Sequence, residues 1–173
     1  MFIKVLMAAL VLGLVPGFCM AAGDQHSMLP VIGEVETLTL VKEEMHFSAR
    51  IDTGAQTSSF SAVGIQPFER DGKRWIRFHV IDPITAKQVV LEKPLQRMAK
   101  IKRHGELAAE RPVVNLLVAI GDLKEECEFS LVDRSDYEYP VLVGRNFLSG
   151  KAMVDVSRKM LVHPINQKED IQK

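Results

Sequence analysis

The sequence predicts an all-β domain, a closed or partly closed barrel of a single lobe with little helix. Three observations carry that expectation. Apolar and polar residues alternate in many short runs, turn-forming residues separate the runs, and no convincing helix is found before residue 95. Barrel closure removes the exposed sheet edges that such a set of strands would otherwise leave.

In chain order, Val31-Ile32-Gly33 opens the domain and Val35 to Val41 alternates as a half-buried strand. Lys42-Glu43-Glu44 turns the chain, and Met45 to Ile51 returns as the antiparallel mate, aiming Asp52. Ser58 to Phe68 reads as a mixed strand before the turn Glu69-Arg70-Asp71-Gly72-Lys73. Trp75 to Asp82 alternates cleanly until Pro83 stops it, and Lys87 to Leu91 is a further short strand. The strongest hairpin signal joins Val113–Ile120 to Glu126–Val132 through Gly121-Asp122. After the loop Asp133 to Tyr139, the apolar run Val141-Leu142-Val143 suits a strand buried on both faces. Asn146 to Ser149 reads as one helical turn, and Ala152–Val156 with Lys159–Val162 as a final hairpin around Ser157-Arg158. A faint duplication results: one hairpin leads to Asp52-Thr53-Gly54 and another to Val143-Gly144-Arg145.

With 173 residues and 47% hydrophobic content, the chain supports one domain over residues 30–164 with a core that needs no staples. Its 22 basic and 22 acidic residues cancel, which argues against nucleic acid or anionic lipid as the main partner. Lys4, the apolar run Val5 to Val15, Pro16-Gly17 and the small Ala21-Ala22 fit a secretory signal peptide over residues 1–22. An uncleaved anchor is the alternative, because Val5 to Ala22 just reaches spanning length; a lipoprotein site at Cys19 fits poorly behind bulky Phe18. Export would leave the mature protein periplasmic or secreted, without a stable membrane span. Residues 23–29 read as a disordered linker and 165–173 as a polar tail. Losing Cys19 with the signal leaves Cys127 alone in an alternating run, where a buried small side chain is expected.

The stretch that organises the chain is Met45 to Ile51 followed by Asp52-Thr53-Gly54-Ala55-Gln56-Thr57-Ser58. A strand delivers one carboxylate to a tight turn, glycine allows close backbone approach, and threonine can bond backbone or a symmetric partner. Such a carboxylate can hold a water. Taken alone, Asp52 reads better as an Asx-turn residue ending a strand; Gly144-Arg145 downstream is what turns the reading toward a catalytic carboxylate.

With Val141-Leu142-Val143-Gly144-Arg145-Asn146-Phe147-Leu148 downstream, this pattern resembles the single-lobed pepsin-type aspartic peptidases, the retropepsins. Glu110-Arg111-Pro112-Val113-Val114, Asp133-Arg134-Ser135 and Val154-Asp155-Val156-Ser157-Arg158-Lys159 extend the resemblance to bacterial retropepsin-like proteins often labelled "ATP-dependent zinc protease", over about Pro30 to Pro164. The resemblance implies an acid-protease barrel and an aspartic endopeptidase with Asp52 as catalyst. Two carboxylates must share a proton for this chemistry, and the chain has one Asp-Thr-Gly, so Asp52 would meet its symmetry mate in a homodimer. Thr53 would then brace the pair and Gly54 line the cleft floor. Ala55, Thr57, Gly144 and Arg145 would support the catalytic loop.

A substrate-covering flap would fall in Leu95 to Arg111, where Arg97, Lys100, Lys102, Arg103, His104 and Arg111 surround Gly105. A mobile hairpin with Lys100, Lys102, Arg103 and Arg111 as candidate substrate-binding residues is one reading; a solvated edge whose lysines block aggregation is the other. The first predicts a peptide or protein substrate of acidic character. Family relatives are linked to trimming glutamate-rich tails, but an exported protein would not reach a cytoplasmic substrate. Neither half of the zinc and ATP label finds a motif: there is no His-Glu-x-x-His, His26, His46, His79, His104 and His163 are scattered, and no glycine-rich phosphate loop with lysine is present. No metal or organic cofactor is therefore expected. The alternative function is a non-catalytic periplasmic module that binds peptide or protein on the same barrel.

Overall fold

The longest alternating runs pair with one another and bend into a ring. The computed structural model describes residues 29–101 and 109–164. Its strands are β1 (Val31–Gly33), β2 (Val35–Leu40), β3 (Met45–Ile51), β4 (Ser58–Ser61), β5 (Val63–Arg70), β6 (Lys73–Ile81), β7 (Gln88–Pro94), β8 (Arg97–Ile101), β9 (Ala109–Ile120), β10 (Leu123–Val132), β11 (Val141–Val143) and β12 (Met153–Asp155), with one helical turn, α1 (Arg145–Leu148). The order β10-β4-β11-β3-β2-β9 closes because β9 pairs back with β10, giving a six-stranded barrel from which β8 extends off β9. The nearly all-β barrel agrees with the fold class expected from the sequence.

The alternation in β3 explains its place. Met45, Phe47, Ala49 and Ile51 are buried while His46, Ser48 and Arg50 face outward. Phe60 of β4 sits between Phe47 and Phe129 in edge-to-face contacts with centroids 5.0 and 5.9 Å away. All three rings are essentially inaccessible, so adjacent walls of the barrel interlock around Phe60. A separate sheet, β5-β6-β7, adds Ile76, Phe78, Val80 and Leu91 to the same core. Its outer face carries Phe68 and Trp75 with Arg70 stacked over both rings.

Two expectations are corrected. Ser58–Phe68 is not one strand: it breaks at Ala62 between β4 and β5, which belong to different sheets, and Gly64 follows with φ +60°. The final hairpin does not form. Residues Met153–Asp155 pair in parallel with β1, Met153 opposite Val31, while the stretch after Ser157 runs past β2 without strand pairing. The reason is Glu36, fully buried, whose carboxylate accepts from the amides of Gly33 at 2.6 Å, Leu161 at 2.9 Å and Val162 at 3.4 Å. A buried carboxylate must be satisfied, and here backbone amides satisfy it in place of a strand partner.

The expected signal peptide over 1–22, most of the 23–29 linker, the 165–173 tail, and Lys102 and Arg103 lie outside the described residues. No helix among the described residues is long and apolar enough to cross a membrane.

Candidate active site

The ends of β3 and β11 lie side by side. They are parallel, with Val143 opposite Ile51, and the Asp52 amide donates to the Val143 carbonyl at 2.9 Å. Beyond this last shared bond the chains diverge into two loops. In the first, Asp52 Oδ1 accepts from the amides of Gly54 at 2.9 Å and Ala55 at 3.2 Å. This is an Asx turn, so the strand-ending and the poised-carboxylate readings describe one geometry. One oxygen is fixed by the loop, and Oδ2 has no hydrogen bond among the described residues. At Gly54 a Cβ would stand 3.1 Å from Asp52 Oδ1, a close approach that favours glycine.

The second loop braces the first. Arg145 Nη1 donates to the carbonyls of Thr53 at 3.0 Å and Gly54 at 2.7 Å, and the Arg145 amide donates to the Ala55 carbonyl at 2.9 Å. Asn146 Oδ1 accepts from the Ser58 amide at 2.9 Å and Ser58 Oγ at 2.8 Å, while its Nδ2 donates to the Glu128 carbonyl at 2.8 Å. Ser58 Oγ in turn accepts from the Gly144 amide at 3.0 Å. A Cβ on Gly144 would lie 2.9 Å from the Ala55 carbonyl oxygen and 3.0 Å from the Thr57 carbonyl carbon, so only glycine lets the loops touch. Asp52, Thr53, Gly54, Ala55, Thr57, Gly144 and Arg145 are thus gathered in one pair of loops. Thr53 and Gly54 are exposed and Asp52 is half-buried.

A cleft of about 460 Å³ begins at this loop, lined by Ala55, Gln56 and Thr57 rather than by Asp52 itself, and continues under β8 and β9. Its walls carry Arg97, Lys100, Arg111 and Arg134. Arg97 is paired with Glu128 at 2.7 Å and reaches Thr57 Oγ1 at 3.4 Å. Lys100 and Arg111, two of the residues expected to meet substrate, make no ion pair among the described residues. Strands β8 and β9 pair antiparallel, with Lys100 opposite Glu110.

Other candidates fall away from this site. Cys127 is half-buried on β10 and packs against the core; burial pushes its thiol up to about 12, with Glu125 and Glu128 adding to the effect against Lys151. Asp133 and Asp155 each accept from a serine two residues on, Ser135 and Ser157, and those bonds hold both below the usual carboxylate range. His46 bonds Thr39 at 3.0 Å, and His79 bonds Gln88. Among the described residues no group of three or more His, Cys, Asp or Glu could hold a metal ion.

Sequence reasoning assigned no role to Asn146, Ser58 or Arg134. Asn146 directly follows Gly144-Arg145, and an amide able to donate and accept at once is the side chain a junction of two loops needs. Arg134 stands in a polar loop segment, where its 7% exposure has no local sequence signal.

Similarity to known proteins agrees with this architecture. The chain is 32% identical over 127 residues to a "Probable alpha-L-glutamate ligase" of Shewanella halifaxensis, covering 72% of this chain and 27% of that protein. It is 33% identical over 109 residues to one of Parasynechococcus marenigrum, covering 62% and 23%. The chain therefore spans about a quarter of the curated relatives it matches. The crystal structure of Lpg0085 from Legionella pneumophila, described as a DUF785 protein with unknown function, superposes with a TM-score of 0.67 at 30% identity, over 76% of this chain and 97% of that one. The family model described as retropepsin-like aspartic endopeptidase RimB matches residues 31–164, and the chain belongs to this RimB-like family.

Proposed function

We propose that the protein is an exported aspartic endopeptidase acting as a homodimer, with Asp52 of one protomer facing Asp52 of its partner. The observation that supports this reading most is the Asp52 loop itself. One carboxylate oxygen is fixed by two amides, the other is left for water or a second acid, and Arg145 and Asn146 hold the loop rigid. Two such carboxylates sharing one proton divide the labour. The ionised one takes a proton from water as the water oxygen bonds to the peptide carbonyl carbon. The protonated one gives its proton to the carbonyl oxygen. Collapse of the tetrahedral species breaks the C–N bond as the amine nitrogen takes up a proton. No metal or organic cofactor enters these steps. Lys100 and Arg111, the cations nearer solvent and unpaired among the described residues, favour an acidic peptide, and salt would screen that part of the attraction.

Peptide-library cleavage by the purified mature protein, compared with Asp52→Asn, tests the reading. Refolding the two forms together in equal amounts should leave about one quarter of dimers with both aspartates, and activity should follow. Activity proportional to the wild-type fraction would mean that each chain works alone. A second reading, a non-catalytic peptide-binding module, is favoured by the relatives: the matching segment is 27% and 23% of proteins named for ligation. Dimerisation with saturable peptide binding and no cleavage would select it.

A further inference from the structure

Arg134 is the one buried arginine among the described residues, and it lines the cleft. Its Nε donates to the Tyr139 carbonyl at 3.0 Å, its Nη1 donates to Ser59 Oγ at 2.9 Å, and its guanidinium stacks 4.3 Å from the Tyr137 ring centroid. These contacts fix the plane of the group. None of them neutralises its charge, and no carboxylate among the described residues pairs with it. Among the described residues Nη2 has no hydrogen bond and no buried side-chain nitrogen lacks a partner, so Nη2 keeps some access to solvent. Burial holds the Arg134 guanidinium below arginine's ordinary range; Tyr137 works against that, and the nearby cation Arg111 adds to it. A buried, oriented and uncompensated guanidinium is unfavourable unless an anion completes it. Ser130, whose hydroxyl donates to the Ser58 carbonyl at 3.2 Å, lines the same part of the wall.

We infer that Arg134 is a specificity-determining residue that receives one carboxylate of a bound peptide through Nη2, with Arg111 and Lys100 of the same cleft attracting that charge. The cleft begins at Ala55, three residues after Asp52, so the bound carboxylate would set which peptide bond lies over the aspartate. The inference rests on the peptidase reading for its consequence, but the recognition itself is separable from cleavage. The carboxylate belongs to an acidic side chain or to the peptide's C-terminus, and the guanidinium would bind either.

The test measures binding, by fluorescence anisotropy, to full-length protein carrying Asp52→Asn. The peptides form a series in which one Glu is moved through a Gln background, each made with a free and an amidated C-terminus. One position should bind about tenfold tighter than its all-Gln, amidated counterpart, the value expected for a charge-assisted hydrogen bond. Whether that position is an internal Glu or the free C-terminus identifies the source. The increment should persist at high salt, as a buried pair does, and should vanish in Arg134→Lys and Arg134→Gln while affinity for the all-Gln peptide stays within about twofold. If those variants fail to fold, the salt series on the unaltered arginine still decides: a preference abolished by salt would assign it to the exposed lysine and overturn the inference. An increment that survives in a folded Arg134→Gln protein would do the same and leave Arg134 a brace for the 133–139 loop. Wild-type protein that cleaves Gln and Glu peptides alike with no positional increment refutes the subsite and leaves the peptidase standing. A clear increment with no cleavage of any peptide does the reverse.

Discussion

The ends of β3 and β11 lie in register yet carry opposite kinds of residue. One ends in Asp52-Thr53-Gly54, with a carboxylate presented to solvent. The other ends in Gly144-Arg145-Asn146, whose atoms turn back onto the first loop. Had both ends carried an acid, one chain would hold a complete pair. Because the second end is given over to bracing, the chain presents a single carboxylate on a loop held by its neighbour.

The sharpest way to break the comparison is to change the reacting group of one end and the packing of the other. Asp52→Asn should lower cleavage by about 10²–10⁴-fold while the melting temperature hardly moves, since it is isosteric and half-exposed. Gly144→Ala should do both: its Cβ meets backbone at 2.9 and 3.0 Å, so one loop must shift, with an expected stability loss of roughly 1–3 kcal/mol and weakened cleavage. Chemical denaturation beside peptide turnover separates the two patterns. Equal effects on stability would erase the division of labour.

Asn146→Ala strips the Ser58 amide of its acceptor and the Glu128 carbonyl of its donor, a loss of about 1–3 kcal/mol in the free energy of urea unfolding. Arg145→Lys should be milder for stability, within about 1 kcal/mol, because the side chain is exposed; a single ammonium cannot hold the geometry of both carbonyls, and turnover should fall roughly tenfold. The smallest effect concerns Cys127. Its unfolded thiol ionises near 9.0 while the folded one stays protonated to about 12, so stability should decline as pH rises through that window, and thiol reagents at neutral pH should label it only after unfolding.

Much of the barrel was legible because β3 and the β9–β10 hairpin alternate over enough residues to fix a face and a partner. Met153–Asp155 was not: three residues of mixed burial specify no partner, and the competitor for the following amides was Glu36, more than a hundred positions earlier. The carboxylate loop could be read because Asp-Thr-Gly is a local pattern. Arg134 could not, since its burial depends on Ser59, Tyr137 and Tyr139 converging around it.

The way the ring closes bears on how the protein is made. Hairpins β2–β3, β5–β6–β7 and β9–β10 join neighbours in the chain and can form as soon as they are synthesised. Closure instead needs β4 beside β10, with Ser58 opposite Phe129, and β11 inserted between β3 and β4. Pairings this distant demand loop-closure entropy before any reward and slow the search. Until β11 arrives, β3 and β4 keep open edges that invite pairing with other chains. Inserting β11 is also the event that sets Gly144, Arg145 and Asn146 against Asp52. The carboxylate loop is therefore among the last features to acquire its shape, and a refolding assay should recover the hairpins before it recovers the closed barrel and the site together.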